Sequence, residues 1–173
     1  GPAFFSRSYW NAHPEAADHP LLKEFEGFIE SAKPTTFHQF CSFLHQQGWL
    51  RRVYTQNIDG LHQLAGLPEG KVIEFHGNLA KRSIVLYQDP IPQTAMDAVT
   101  EDFVSNPTPV DCLIVAGTSL KVAPFCGLPN LVKRDCPRIL IARNAKDCYT
   151  NSFTPEDADF CPFSTNGAVT ESL

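Results

Sequence analysis

Four polar side chains in two short stretches carry the first chemical signal in this chain. Gln56, Asn57 and Asp59 stand in Tyr54-Thr55-Gln56-Asn57-Ile58-Asp59-Gly60, and His76 follows in Glu74-Phe75-His76-Gly77. A carboxylate only accepts hydrogen bonds, whereas an amide both donates and accepts, so the first cluster can satisfy both ends of an amide-bearing ligand. An imidazole with an ordinary pKa near 6.5 can take up a proton at neutral pH. Together these groups suit a pocket that binds an amide and moves a proton beside it. A third stretch, Gly117-Thr118-Ser119, follows an apolar run. Its glycine permits close backbone approach, and its two hydroxyls can bond a ribose or a phosphate. Each feature also has a purely structural reading. Asp59 can form an Asx-turn that caps the following helix. His76 can be a strand-end histidine bonded to a backbone carbonyl, and a Gly-Thr-Ser turn can occur with no ligand.

These groups need elements to hold them. Leu21, Leu22, Phe25, Phe28 and Ile29 recur at helical spacing, predicting a helix over 21–33 that Pro34 stops. Thr35 or Thr36 can cap a second helix, with Phe37, Phe40 and Leu44 on one face and Gly48 at its end. Strands are expected over 50–55, 71–75, 83–87, 111–116 and 138–142. Residues 59–65 predict one or two helical turns, and residues 94–104 a helix. Strands alternating with helices argue for an α/β layered fold, in which a ligand lies beyond the carboxyl ends of the strands. Residues 55–59, His76 and 117–119 all fall at such ends. Pro155, Pro162 and Gly167 among polar residues predict an irregular tail over 150–173.

Taken in order, the Gln56-Asn57-Ile58-Asp59 and His76-Gly77 motifs resemble the sirtuins, the NAD-dependent protein deacylases. Residues 116–124, Ala116-Gly117-Thr118-Ser119-Leu120-Lys121-Val122-Ala123-Pro124, look like that family's Gly-Thr-Ser-Leu-x-Val-x-Pro segment. Weaker similarity runs from about Pro2 to Asn144. The resemblance implies a Rossmann-like three-layer parallel sheet, with residues 1–149 as an N-terminally incomplete NAD-binding and catalytic domain. It implies that His76 is the general base, helping to deprotonate a ribose hydroxyl once an acyl-lysine oxygen has displaced nicotinamide. Asn57 would share in catalysis and, with Gln56, line the cofactor ribose. Asp59 would hold nicotinamide, and Gly117, Thr118, Ser119 and Asn144 would contact the cofactor. Val85, Tyr87, Val122 and Pro124 would contact an acyl-lysine peptide, which adds as a β-strand along residues 84–89.

The chain departs from the family pattern in several places. The upstream Gly-Ala-Gly-x-Ser loop and Gly-Ile-Pro-Asp-Phe-Arg segment are not in this sequence, and it contains no Gly-x-Gly. Between Gly77 and Arg82 the family inserts a zinc ribbon with two Cys-x-x-Cys pairs, where this chain has only Asn78-Leu79-Ala80-Lys81. Zinc is therefore expected of the family, but its ligands are not visible and the small ribbon domain is read as absent. Gln88 stands where the family has glycine, Asp89 where it has glutamate, and Ala142 where it has an asparagine on the adenosine ribose. His38, Cys41 and His45 could share a helix face as metal ligands. The aromatic stripe beside them favours a packed helix, so no metal site is assigned.

Composition narrows the classes further. Hydrophobic content of 43% and charged content of 19% are ordinary for a globular protein. A net charge of −5 argues against direct nucleic-acid binding and is compatible with basic substrates such as histone tails. No stretch is long and apolar enough to span a membrane, and no signal peptide is visible. Six cysteines without a Cys-x-x-Cys pair fit reduced thiols inside a cell, in the nucleus, cytoplasm or mitochondrion. The leading expectation is NAD-dependent protein-lysine deacylation. The alternatives are a non-catalytic, NAD-responsive scaffold and protein mono-ADP-ribosyl transfer.

Overall fold

The computed structural model describes residues 2–106 and 108–143, and the backbone of 159–162. The chain divides into two compact units, residues 1–98 and 99–173. Among the described residues all strand pairing is parallel.

The first unit opens with a 3-10 turn, Pro2–Phe5, and helix α1, Arg7–Ala12. Helix α2 spans Pro20–Ser31 and starts at a proline, whose missing N–H costs nothing in a first helical turn. Its Leu22 joins Phe4, Ala16 and Leu79 in one buried cluster, against which Tyr9, Trp10, Ile29, Ile58 and Ile84 pack. Helix α3, Thr36–Gln46, begins as its capping residue requires. The Thr35 N–H donates to His38 Nδ1 at 3.1 Å, so a histidine fills the role usually given to Glu or Gln at that position. Gly48 ends α3 with φ +75, a conformation glycine adopts readily.

Strand β1, Val53–Thr55, pairs with β2, Val72–Glu74. Val72 is buried with Cys41 of α3 and Leu67, which seats this two-stranded sheet on α3. Between the strands lies helix α4, Leu61–Leu64. It is shorter than residues 59–65 predict because Gly60 sits at φ +67 and breaks the helical run. Helix α5, Gln93–Thr100, continues as a π turn over Glu101–Ser105, and Tyr54 Oη donates to its Ala98 carbonyl at 3.0 Å.

In the second unit β3, Leu113–Ala116, pairs with β4, Arg138–Ala142, which pairs in turn with β5, Asp159–Pro162. Leu140, at the centre of β4, is completely buried. Two expectations are corrected here. The tail predicted to be irregular contributes a strand, because β4 offers its free edge to Asp159–Pro162. The predicted strand over 83–87 is not one. Its pairing is a single bridge from Tyr87 to Ser6, and the Asp89 N–H turns back onto the Leu86 carbonyl at 3.0 Å.

Candidate active site

The amide-rich cluster leaves β1 at its carboxyl end, and His76 leaves β2 at its carboxyl end two residues past Glu74. Parallel pairing of Thr55 with Glu74 puts these two ends side by side. The Phe75 N–H donates to the Thr55 carbonyl at 3.0 Å, extending the contact by one residue. Phe75 itself is 1% exposed and pins the backbone on which His76 stands. Partial burial lowers the His76 pKa from its ordinary value, while the nearby Gln56 backbone opposes the shift. At neutral pH its imidazole is therefore held ready to accept a proton.

Gly77 makes the return of the chain possible. It lies at φ +75, and a Cβ there would come 1.7 Å from the Ser83 carbonyl oxygen. The chain closes on itself over residues 77–83. The Ser83 N–H donates to the Asn78 carbonyl at 3.0 Å, and buried Asn78 donates Nδ2 to Glu74 at 2.7 Å while its Oδ1 accepts from the Lys81 N–H at 3.2 Å. The Leu79 N–H donates to the Ile58 carbonyl at 3.0 Å, tying this turn to the first motif. A small closed turn therefore stands where the resemblance expects a zinc ribbon. Its residues offer no thiolate, and among the described residues no group of three or more His, Cys, Asp or Glu side chains is placed to hold a metal ion. The described residues of this turn do not fit a structural zinc.

Asp59 does what its Asx-turn reading asks: Oδ1 accepts from the Leu61 N–H at 3.0 Å and caps α4. A carboxylate has a second oxygen, so this bond does not exhaust its capacity. Asn57 is exposed, and its N–H donates to Thr55 Oγ1 at 3.0 Å. Two histidines stand near Asp59 that the motif reading does not predict as neighbours. The His38 and His62 rings lie 4.5 Å apart, both buried, and Asp59 acts electrostatically on each. Burial, with the adjacent His38 adding to it, pushes His62 down to about 4. His38 and Cys41 are buried in α3, as a packed helix requires.

Val85 and Tyr87 lie on the segment after the closed turn. The Val85 N–H donates to the His76 carbonyl at 2.9 Å, and Tyr87 is 54% exposed. In the second unit Gly117 follows β3 directly, at φ +62, and its N–H donates to the Ile141 carbonyl at 3.1 Å. Thr118 Oγ1 accepts from the Leu120 N–H at 3.1 Å, and Ser119 is exposed. Val122 is half-buried and Pro124 exposed. Asn144 lies outside the described residues.

A sequence model of the Sir2 family matches residues 3–85. Similar proteins include the NAD-dependent deacetylase sir2A of Dictyostelium discoideum, 33% identical over 87% of this chain and 35% of that protein. The NAD-dependent protein deacetylase sirtuin-2 of Danio rerio is 31% identical over 80% of this chain and 45% of its own length. The NAD-dependent protein deacetylase HST2 of Candida albicans is 31% identical over 81% and 51%. The chain thus spans about a third to a half of the length of these curated relatives.

Proposed function

From the match of residues 3–85 to the Sir2 family and the parallel strands, we propose that this chain is a Sir2-type, Rossmann-like domain that carries the core of an NAD-dependent protein-lysine deacylase. The observation that carries this reading is the parallel pairing of Thr55 with Glu74, extended by the Phe75 N–H donating to the Thr55 carbonyl at 3.0 Å, at the carboxyl ends of β1 and β2. It draws a proton acceptor and an amide-rich cluster into one place. The donor set fits NAD. A carboxamide needs an acceptor for its NH₂ and a donor for its oxygen, and a ribose needs partners for its hydroxyls.

Bound NAD would supply a ribose carbon that becomes electrophilic when nicotinamide leaves. Asp59 would accept from the carboxamide NH₂, and its anchorage on the Leu61 N–H fixes where that acceptor points. Gln56 and Asn57 would bond the ribose, and Asn57 would help orient the reacting groups. His76, whose charged form burial disfavours, would take a proton from a ribose hydroxyl. By the family resemblance, Gly117, Thr118, Ser119 and Asn144 would contact the cofactor, and Val85, Tyr87, Val122 and Pro124 the acyl-lysine peptide. The net charge of −5 suits a basic lysine-bearing substrate such as a histone tail.

The test is nicotinamide release from NAD by the purified chain, with and without an acetyl-lysine peptide. Peptide-dependent release that His76→Ala lowers by about 100-fold or more is expected of a lost general base. Release indifferent to peptide would replace this reading with ADP-ribosyl transfer or NAD hydrolysis. A second reading, a non-catalytic module that responds to NAD, draws on the closed turn over 77–83 and on the Asp59 bond that caps α4. NAD binding by a folded chain that releases no nicotinamide would favour it.

A further inference from the structure

The segment that would receive the peptide is held from behind by α1. The first three amides of a helix have no partner within it, and in α1 each finds one nearby. The Arg7 N–H donates to the Tyr87 carbonyl at 2.9 Å, the Ser8 N–H to Gln88 Oε1 at 3.0 Å and the Tyr9 N–H to Ser6 Oγ at 3.3 Å. Two of the three therefore come from residues 87 and 88. In return, the Tyr87 N–H donates to the Phe5 carbonyl at 2.8 Å. Arg7 then closes a two-pronged ion pair on Asp89, Nε to Oδ1 at 2.6 Å and Nη2 to Oδ2 at 2.7 Å. The same Asp89 Oδ2 accepts from the Leu86 N–H at 2.9 Å. One carboxylate thus fixes both α1 and the turn over Leu86–Asp89.

Gln88 is the residue whose presence needs explaining. Its φ is +80, in the region glycine favours, and the family carries glycine there. A side chain at that position would crowd an approaching peptide unless something turned it aside. Here it is turned aside, folded back onto the first turn of α1. We propose that Arg7 and Gln88 are positioning residues that hold Leu86–Asp89 in place and thereby set affinity for the peptide. The proposal rests on the deacylase reading. It adds to that reading a specificity device that uses Gln88 and Asp89, two positions where the chain departs from the family pattern.

Three variants of the whole chain test it: Arg7→Ala, Arg7→Lys and Gln88→Ala. Each is assayed for peptide KM, NAD KM and kcat, and for amide exchange at Leu86 and Tyr87. Arg7→Ala is expected to raise peptide KM about tenfold and Gln88→Ala about threefold, with NAD KM and kcat within about twofold. Arg7→Lys keeps the charge but not the fork, and should fall between wild type and Arg7→Ala. Amide exchange at Leu86 and Tyr87 should quicken in step with peptide KM. Active variants with wild-type peptide KM, or with NAD KM and kcat changed as much as peptide KM, would overturn the proposal. Unchanged amide exchange would overturn it too. A wild-type chain that neither binds nor turns over the peptide would instead bring down the deacylase reading, and this proposal with it.

Discussion

At position 77 only hydrogen fits. A methyl group there would sit inside the Ser83 carbonyl, and the backbone lies at φ +75 as well. Gly77→Ala must therefore reopen the turn beside His76, at a cost of about 3 kcal/mol or more, read from urea unfolding. Gly60→Ala is the milder comparison. Its Cβ would lie 3.3 Å from Asn78 Nδ2, and the φ of +67 alone should cost about 1–2 kcal/mol. His62 makes the prediction about pH. Its pKa falls to about 4 in the fold, so the unfolded chain binds the proton more readily. Its contribution to stability is complete above about pH 6.5 and is lost as pH falls from there toward 4. Between pH 7 and pH 5 the chain should lose roughly 2 kcal/mol from this group, and His62→Leu should flatten that slope in urea titrations at the two pH values. His76, also held below its ordinary pKa by burial, should give nicotinamide release an acid limb below the usual imidazole range. An acid limb at or above that range would argue against His76 as the base.

At the scale of elements, parallel register decides what the site can be. Pairing Val53 with Val72 brings Thr55 opposite Glu74, so both motifs emerge from the same edge of the β1–β2 sheet. The closed turn over 77–83 then keeps that edge compact, and Asn78 is its keystone, with bonds to Glu74 and to the Lys81 N–H. Asn78→Ala leaves those partners unmatched and should cost about 2 kcal/mol, with faster amide exchange at Lys81 and Ser83. In β4 the weak point is Leu140, whose truncation to alanine should cost about 3 kcal/mol in the second unit.

At the scale of the whole molecule, the resemblance expects a metal-bound insertion between Gly77 and Arg82, where the described residues form a hydrogen-bonded turn. A fold stapled by zinc loses its structure to a chelator, because the binding energy of the metal is folding energy. Residues 77–83 contain no cysteine, and their turn is closed by backbone and asparagine hydrogen bonds. Excess EDTA should therefore leave the thermal midpoint unchanged, and added Zn²⁺ should not raise it. A midpoint that falls by several degrees in EDTA would show that a metal supports the fold after all.

Much of this was legible in the amino-acid order, because some signals are local. Helical spacing in 21–33, the proline and glycine stops, and the apolar runs of β3 and β4 depend on neighbours a few residues away. The three chemical motifs were legible for the same reason, each being a short run that ends a strand. What the order of residues could not decide was closure. The stretch Ser83–Tyr87 has strand composition, yet Gln88 at positive φ and the reach of Asp89 back to the Leu86 N–H turn it away from a ladder. The polar segment around Asp159–Pro162 lacks strand composition, yet the open edge of β4 supplies backbone partners and makes it one. Arg7 and Asp89 lie 82 residues apart, and His38 meets His62 across two helices. Local preference is set by covalent neighbours. Such contacts are set by which surfaces remain for burial once the sheet has formed, and only the tertiary structure determines that.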